Sequence, residues 1–460
     1  MADKHPLDGL SGSGYAGPMQ NKNPSFLSGM SYSFTRRRFL KQTGAVAAAA
    51  VVGRPLLAQG KFEMNSDTLK VGLIGCGGRG TGAARQALHA DPNVVLWAVG
   101  DAFPEPPRRS LGVIKRDAKV APRVKVTPER VFVGLDAFKK VLASGVHVVI
   151  LTTPPGFRPE HFAAAVKAGK HVFTEKPMAT DVYGVKWSQE TVKEAKRKGL
   201  SVMPGFCWRR EFGRREFYKR VHDGAIGKIR AIYATYLTGP VRPMPPADKR
   251  PAGMGDLEWQ LRNWYNFVWL SGDGLVEQAC HSIDKINWAM QNVPPAAAVA
   301  TGGRQIPNNE GNIYDHIDVF FEWPDGTRAF MAQRQIRNCY SDNSDYLMGA
   351  DGLGTIKGWS APIITGKVNW RYRGPKNDMY QTEHDELFAS IRKGEPINDG
   401  DWMLQSTMMG LMGRTAAYTG KRVTWEQMLN SKLRLVPEHY SWDMKLPIRP
   451  MAKPGITPFV

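Results

Sequence analysis

Leu69-Lys70-Val71-Gly72-Leu73-Ile74 runs without a break into Gly75-Cys76-Gly77-Gly78-Arg79-Gly80. The first six residues are a short apolar run of the kind that forms a buried strand. The next six are a G-x-G-x-x-G turn. Thr81 to His89 is compatible with a helix, and Val94 to Gly100 reads as a second buried strand ending in Asp101. This is the order a dinucleotide site needs. Gly75 permits the tight turn, Gly77 lets backbone approach a pyrophosphate, and Gly80 lets helix and strand pack closely. The helix N-terminus, with Gly78 and Arg79, adds N–H groups and the positive end of a dipole. Asp101, 21 residues after Gly80, is spaced to bind ribose hydroxyls. Its charge favours NAD, while Arg108 and Arg109 just beyond it leave NADP open.

The βα alternation continues. Val146 to Thr152 and His171 to Thr174 read as strands, Pro159 to Ala168 and Asp181 to Arg197 as helices. Repeated βα units imply a doubly wound parallel sheet, with ligands in the crevice at the strand C-terminal ends. Thr153, Pro154, Glu175 and Lys176 fall in that crevice with the glycine loop and Asp101. A second domain is expected from Gly199, with strands at Ile229 to Thr238, Ala297 to Gln305, Ile317 to Trp323 and Arg328 to Gln335. Pro324-Asp325-Gly326-Thr327 supplies a hairpin turn between the last two. Ala361 to Tyr380 has no clear period and reads as loop.

The chain of 460 residues carries 62 Lys+Arg against 42 Asp+Glu, a formal charge of +20. Its basic residues are dispersed, with no nucleic-acid motif, so a basic solvated surface is expected rather than a nucleic-acid partner. Cys76, Cys207, Cys280 and Cys339 form no C-x-x-C pair, which argues against the common structural zinc spacings. Gly44 to Gly53 is apolar but shorter than the ~20 residues a membrane helix needs, so no stable membrane anchor is expected. Arg36-Arg37-Arg38-Phe39-Leu40-Lys41 precedes it and Ala58 follows, the pattern of a twin-arginine leader. The expected divisions are 1–58 for a leader with its extension, 66–198 for the nucleotide domain and 199–460 for a substrate and oligomerisation domain. The expected location is periplasmic or otherwise exported.

Glu175-Lys176-Pro177 resembles the glucose–fructose oxidoreductase / inositol dehydrogenase (Gfo/Idh/MocA) family. So do the opening glycine loop, Gly274 to Asp284, and the late segments Thr382 to Gly410 and Arg414 to Gly420. The resemblance implies a C-terminal α/β domain with an open, largely antiparallel sheet. It also implies NAD(P)-dependent oxidation or reduction of a sugar or cyclitol, and a homo-oligomer. Lys176 corresponds to a catalytic or nicotinamide-site lysine; an ammonium beside a reacting hydroxyl stabilises the developing alkoxide. His281 corresponds to the family's general base. The family usually has Asp four residues before that histidine; here Glu277 stands there and is expected to orient or tune His281.

The residues around His281 fall into stripes at helical spacing. Val276, Ala279, Cys280, Ile283, Ile286 and Met290 form an apolar stripe. Glu277, His281, Asp284 and Trp288 form a second, suited to a cleft wall, and Gln278, Ser282 and Lys285 are expected to face water. Asp284 on the polar stripe, Arg209 in Trp208-Arg209-Arg210 and Trp264 in the Trp259, Trp264, Trp269 cluster are substrate candidates. The spacing of those tryptophans reads as a folded loop. Glu383-His384-Asp385 reads as a helix N-terminus with favourable acids, and no metal site is expected.

The leading expectation is an exported NAD(P)-dependent oxidoreductase acting on a hydroxyl of a sugar, glycoside or cyclitol. Outside the cytoplasm no free nicotinamide pool regenerates the cofactor, so it must be recycled in place. One route couples two substrates. The main alternative is redox-neutral glycoside hydrolysis, in which oxidation acidifies a neighbouring C–H, the leaving group is eliminated, water adds and the hydride returns. A non-catalytic nucleotide- or sugar-binding protein is the third reading.

Overall fold

The computed structural model describes residues 67–460. The leader read at 1–58 lies outside the described residues. Six strands form the first sheet: β1 Leu69–Ile74, β2 Val94–Asp101, β3 Val131–Val133, β4 Val148–Leu151, β5 His171–Thr174 and β6 Val202–Pro204. All pair in parallel, in the order β3-β2-β1-β4-β5-β6. The order reverses at β1, which puts a crevice at the C-terminal ends of β1 and β4. This sheet passes the Gly199 boundary, because the alternation ends on a strand rather than on the helix Val182–Arg197.

The second sheet has nine strands: β7 Ile229–Thr238, β8 Ala297–Gly303, β9 His316–Glu322, β10 Arg328–Gln335, β11 Ser344–Gly349, β12 Gly352–Lys357, β13 Ile363–Gly366, β14 Trp370–Arg371 and β15 Val423–Thr424. Their order is β14-β13-β12-β11-β7-β10-β9-β8-β15. Only β7 and β10 pair in parallel among these. The chain is therefore α/β, with a doubly wound parallel sheet followed by an open, largely antiparallel one. The span read as loop at 361–380 holds β13 and β14. They are too short to show a period, and pairing at the sheet edge makes them strands.

The helix Gly400–Thr419 is buried almost all round, as its lack of an amphipathic face requires. It packs on the helix Val182–Arg197 from the first sheet and on Cys280–Ala289 and β8 from the second. This corrects the solvent face read for Ser282 and Lys285. Cys280–Ala289 lies between β7 and Gly400–Thr419, which covers that face. Ser282 is buried and donates to the Thr235 carbonyl at 3.2 Å. Lys285 is buried against Asp345, with Asn343 Oδ1 at 3.4 Å. The tryptophans also differ from the loop reading. Trp259 lies on the helix Asp256–Arg262, Trp264 on the 3-10 turn Trp264–Asn266 and Trp269 on the short helix Val268–Ser271.

Breaking a buried pair leaves an uncompensated charge. Lys285→Ala is therefore expected to lower stability by about 3–5 kcal/mol, measured by urea unfolding. Asp345→Asn with Lys285→Met should recover much of that loss.

Candidate active site

The glycine loop is shaped by its neighbours. Gly75 has φ +91°, and a Cβ there would lie 2.7 Å from the Thr153 backbone nitrogen. A Cβ on Gly80 would lie 2.1 Å from the Gly75 carbonyl oxygen and 2.5 Å from Thr152 Oγ1. Gly77 and Gly78 instead face open space. The helix Gly78–Ala90 starts there with no side-chain cap, so its first N–H groups are left for an anionic ligand. Asp101 closes the far side of the loop: Oδ2 accepts from Cys76 N at 2.7 Å and Oδ1 from Phe103 N at 3.1 Å. Burial raises the Asp101 carboxyl above its ordinary value.

A cavity of about 650 Å3 opens above this loop. Gly75, Gly77, Gly78, Asp101, Thr153 and Pro154 line one side, with Arg109 near Asp101. Trp264, Arg242 and Arg262 from the second lobe line it too. The open space at Gly77 and Gly78, the uncapped helix and the carboxylate at the end of β2 fit a dinucleotide. The pyrophosphate would meet the loop N–H groups and the ribose Asp101. Arg79 differs from expectation: its guanidinium turns away from the cavity onto Glu175. Its Nη1 donates to Gln86 Oε1 at 3.0 Å.

The sequence reading missed His161, which also lines the cavity. Its Nδ1 is 3.1 Å from Thr153 Oγ1, and its ring stacks on Phe138 at 4.1 Å. Burial, helped by the Arg158 charge, takes its pKa down to about 3, so the imidazole is neutral. The helix that carries it has no motif to flag it.

Lys176 and Glu277 meet across the two lobes. Lys176 Nζ donates to Glu277 Oε1 at 3.2 Å and to the Glu277 carbonyl at 2.5 Å, both groups being buried. Burial acts to lower the Lys176 pKa, but Glu277, Cys280 and Glu175 outweigh it and hold the ammonium charged. The second Glu277 oxygen accepts from Gln278 Nε2 at 2.5 Å, and Gln278 Oε1 accepts from Tyr236 OH at 2.8 Å. Behind Lys176, its backbone N–H donates to Glu175 Oε2 at 3.2 Å. Burial acts to raise Glu175, but Arg79 and Lys176 pull it below its ordinary value.

Arg79 Nη2 also lies 4.0 Å from Glu383. Glu383 is one turn inside the helix Met379–Lys393, whose N-cap is Asp378, rather than at its start. Both Glu383 carboxylate oxygens are buried without a hydrogen-bond partner. Burial, then the Glu175 charge, pushes its carboxyl well up, so it is held neutral. Among the described residues no group of His, Cys, Asp and Glu is placed to hold a metal ion.

Two expectations are corrected here. Glu277 ends the helix Gly274–Glu277 and His281 begins the next, Cys280–Ala289, so the two are not stacked on one helix. Glu277 bonds Lys176 and Gln278, and His281 Nδ1 is buried with no partner. Burial first, then the Lys176, Lys285 and Arg79 charges, drives His281 well below its ordinary value and leaves it neutral. The second correction concerns Arg209 and Asp284. They are buried against each other, with Nε–Oδ2 at 3.0 Å and Nη2–Oδ1 at 2.9 Å, and Arg209 stacks on Trp402 at 4.0 Å. Asp284 Oδ1 also accepts from Ser406 at 2.7 Å. Each of these charges is thus already paired within the protein.

Residues 69–206 match the family model described as oxidoreductase family, NAD-binding Rossmann fold (GFO_IDH_MocA). An inositol 2-dehydrogenase of Rhizobium meliloti is 23% identical over 350 residues, which span 72% of this chain and 93% of that protein. A glycosyl hydrolase family 109 protein of Shewanella pealeana is 26% identical over 44% of this chain and 46% of its own length. The solved aldose–aldose oxidoreductase from Caulobacter crescentus shares the fold, with a TM-score of 0.61 at 20% identity over 78% of this chain and 100% of that one.

Asp101→Ser is expected to weaken NAD binding roughly tenfold, the loss of a charge-assisted contact to ribose. It should bring NADP affinity up toward that of NAD, with Arg109 beside the freed position; nucleotide titration followed by protein fluorescence reads both. The match to the Gfo/Idh/MocA family model thus lies in the first lobe, and the likeness to the inositol 2-dehydrogenase extends into the second.

Proposed function

We propose that this protein is an NAD(P)-dependent oxidoreductase that transfers hydride between nicotinamide and a hydroxyl of a sugar, glycoside or cyclitol. The observation that carries this reading is the charged Lys176 ammonium, buried and held by Glu277. When bound, the nicotinamide supplies a two-electron acceptor or donor. Lys176 donates a hydrogen bond to the reacting oxygen and stabilises the negative charge that develops there. His281, held neutral by burial, takes the hydroxyl proton. Glu277 keeps Lys176 in place and charged.

The twin-arginine leader supports export with the cofactor already inside. The outer face of the second sheet supports a homo-oligomer. Tyr233 there stacks on Tyr346 at 6.0 Å, and Phe330 meets Phe320 edge-on at 5.6 Å, with Tyr233 and Phe330 exposed. A second reading, redox-neutral glycoside hydrolysis, is favoured by the family 109 relatives. Aryl glycosides distinguish the two: free phenol without net NADH favours hydrolysis, and NADH accumulation favours dehydrogenation.

His281→Ala and Lys176→Met are expected to lower kcat by about 10²–10⁴-fold, the range for a lost general base or oxyanion donor. Both variants should still yield bound nucleotide by mass after denaturation. Unchanged turnover removes the residue from the mechanism. The pH profile follows from the shifts. His281 is lowered, so it stays a neutral base at and below pH 6.5, the ordinary imidazole value. Lys176 is raised, so it stays charged at and above pH 10.5, the ordinary lysine value. A plot of kcat/KM should be flat between these two values, its limbs falling outside them.

A further inference from the structure

A second cavity of about 510 Å3 lies at the end of β10, walled by the loop around Arg242 and by residues 304–309. Arg242 lines both this cavity and the dinucleotide cavity. Tyr265, which follows Trp264 of the dinucleotide cavity, lines this one. Gln335 does too, and it packs against the helix that carries Glu277: a Cβ on Gly274 would lie 3.0 Å from Gln335 Oε1. The space therefore adjoins the dinucleotide cavity and, through Gln335, the helix that carries Glu277.

The charged groups of this cavity are mostly donors. Three guanidinium groups, Arg242, Arg304 and Arg337, meet a single carboxylate, Asp315, among its described lining residues. That carboxylate is already engaged. Its Oδ2 accepts from Gln305 N and Ile306 N, both at 2.9 Å, and its Oδ1 is 2.8 Å from His316 Nδ1. Arg304 is anchored by Asn309, with Nη2 2.5 Å from Oδ1 and 3.0 Å from the carbonyl. Arg242 makes one long bond, Nη2 to the Arg262 carbonyl at 3.3 Å, and partial burial lowers its pKa. Gln335 is 6% exposed; Tyr265 OH holds its Oε1 at 2.9 Å, and its Nε2 has no partner.

Three guanidinium groups around one engaged carboxylate, with an amide N–H left over, call for an acceptor-rich, negatively charged ligand. A volume in the range of ~300–1,000 Å3 is that of a small-molecule site. We propose that this cavity is a substrate subsite for an anionic sugar, its carboxylate or phosphate bound by Arg242, Arg304, Arg337 and Gln335. The proposal deepens the oxidoreductase reading and rests on it for the reacting hydroxyl near Lys176.

The test is calorimetric titration of the full-length protein saturated with NAD, at fixed ionic strength. The probes are D-glucuronate and D-galacturonate, their neutral aldoses, and glucose 6-phosphate. The anionic sugars should bind roughly tenfold or more tighter than the matched neutral ones, the value of one charge-assisted hydrogen bond. Arg242→Gln and Arg337→Gln should each erase most of that margin. Arg371→Gln, the same charge change on the edge strand β14, should keep it. Uronate against phosphate tells which oxyanion the cavity takes. Equal binding of charged and neutral sugars, no sugar binding at all, or a margin that survives Arg242→Gln overturns the subsite. Failure of the oxidoreductase reading shows separately, as absence of NAD binding or of NADH formation with any sugar.

Discussion

A charged lysine buried against a carboxylate from the other lobe constrains most of this molecule. Taking two ions out of water costs several kcal/mol each, and only close geometry and further hydrogen bonds offset that. The surroundings of Lys176 and Glu277 supply them. Gln278, itself held by Tyr236, takes the free side of Glu277, and Glu175 takes the Lys176 backbone. The helix break between Glu277 and Cys280 lets the Glu277 carbonyl reach the ammonium as well as the carboxylate. A continuous helix would have used that carbonyl in its own ladder.

The same network ties the glycine loop to Lys176. Arg79 belongs to the loop by sequence, yet its charge is spent on Glu175, the neighbour of Lys176, and leans on Glu383. The backbone of Gly205 presses close beneath Glu175, where a Cβ would lie 2.5 Å from the carboxylate. Glu175 is therefore held from below by the backbone just past β6 and from the side by Arg79. Glycine loop and Lys176 are thus joined through Glu175.

Much of this was legible in residues alone where local chemistry and tertiary demand agree. The β1–loop–helix unit, Asp101 and the strands Ile229–Thr238 and Arg328–Gln335 follow from apolar runs and turn residues. The hairpin at Pro324 to Thr327 closes as its Asp-Gly pair requires, with Trp323 N donating to the Thr327 carbonyl at 3.0 Å. The misreadings arise where distant chain decides. Lys285 looks like a surface residue until Asp345, on another strand, neutralises it. Arg209 and Asp284 look like site groups until each is seen to satisfy the other. Glu277 and His281 have helical spacing, but Glu277 is drawn to Lys176, a hundred residues earlier in the chain. His161 carried no signal, because its role comes only from what its helix packs against.

The parallel sheet is not finished by the segment that begins it. β6 takes its last hydrogen bonds from far downstream: Val202 N donates to the Ile397 carbonyl at 2.7 Å, and Asp399 N to the Val202 carbonyl at 3.1 Å. The helix Gly78–Ala90 is covered by Met379–Lys393. During synthesis the nucleotide lobe emerges first and waits, with an uncovered helix and an unpaired strand edge, until some 200 more residues leave the ribosome. Contacts closed over such long loops form slowly. The two lobes thus mature together once that later segment is made, and the early lobe spends the interval as the part of the chain most in need of a chaperone.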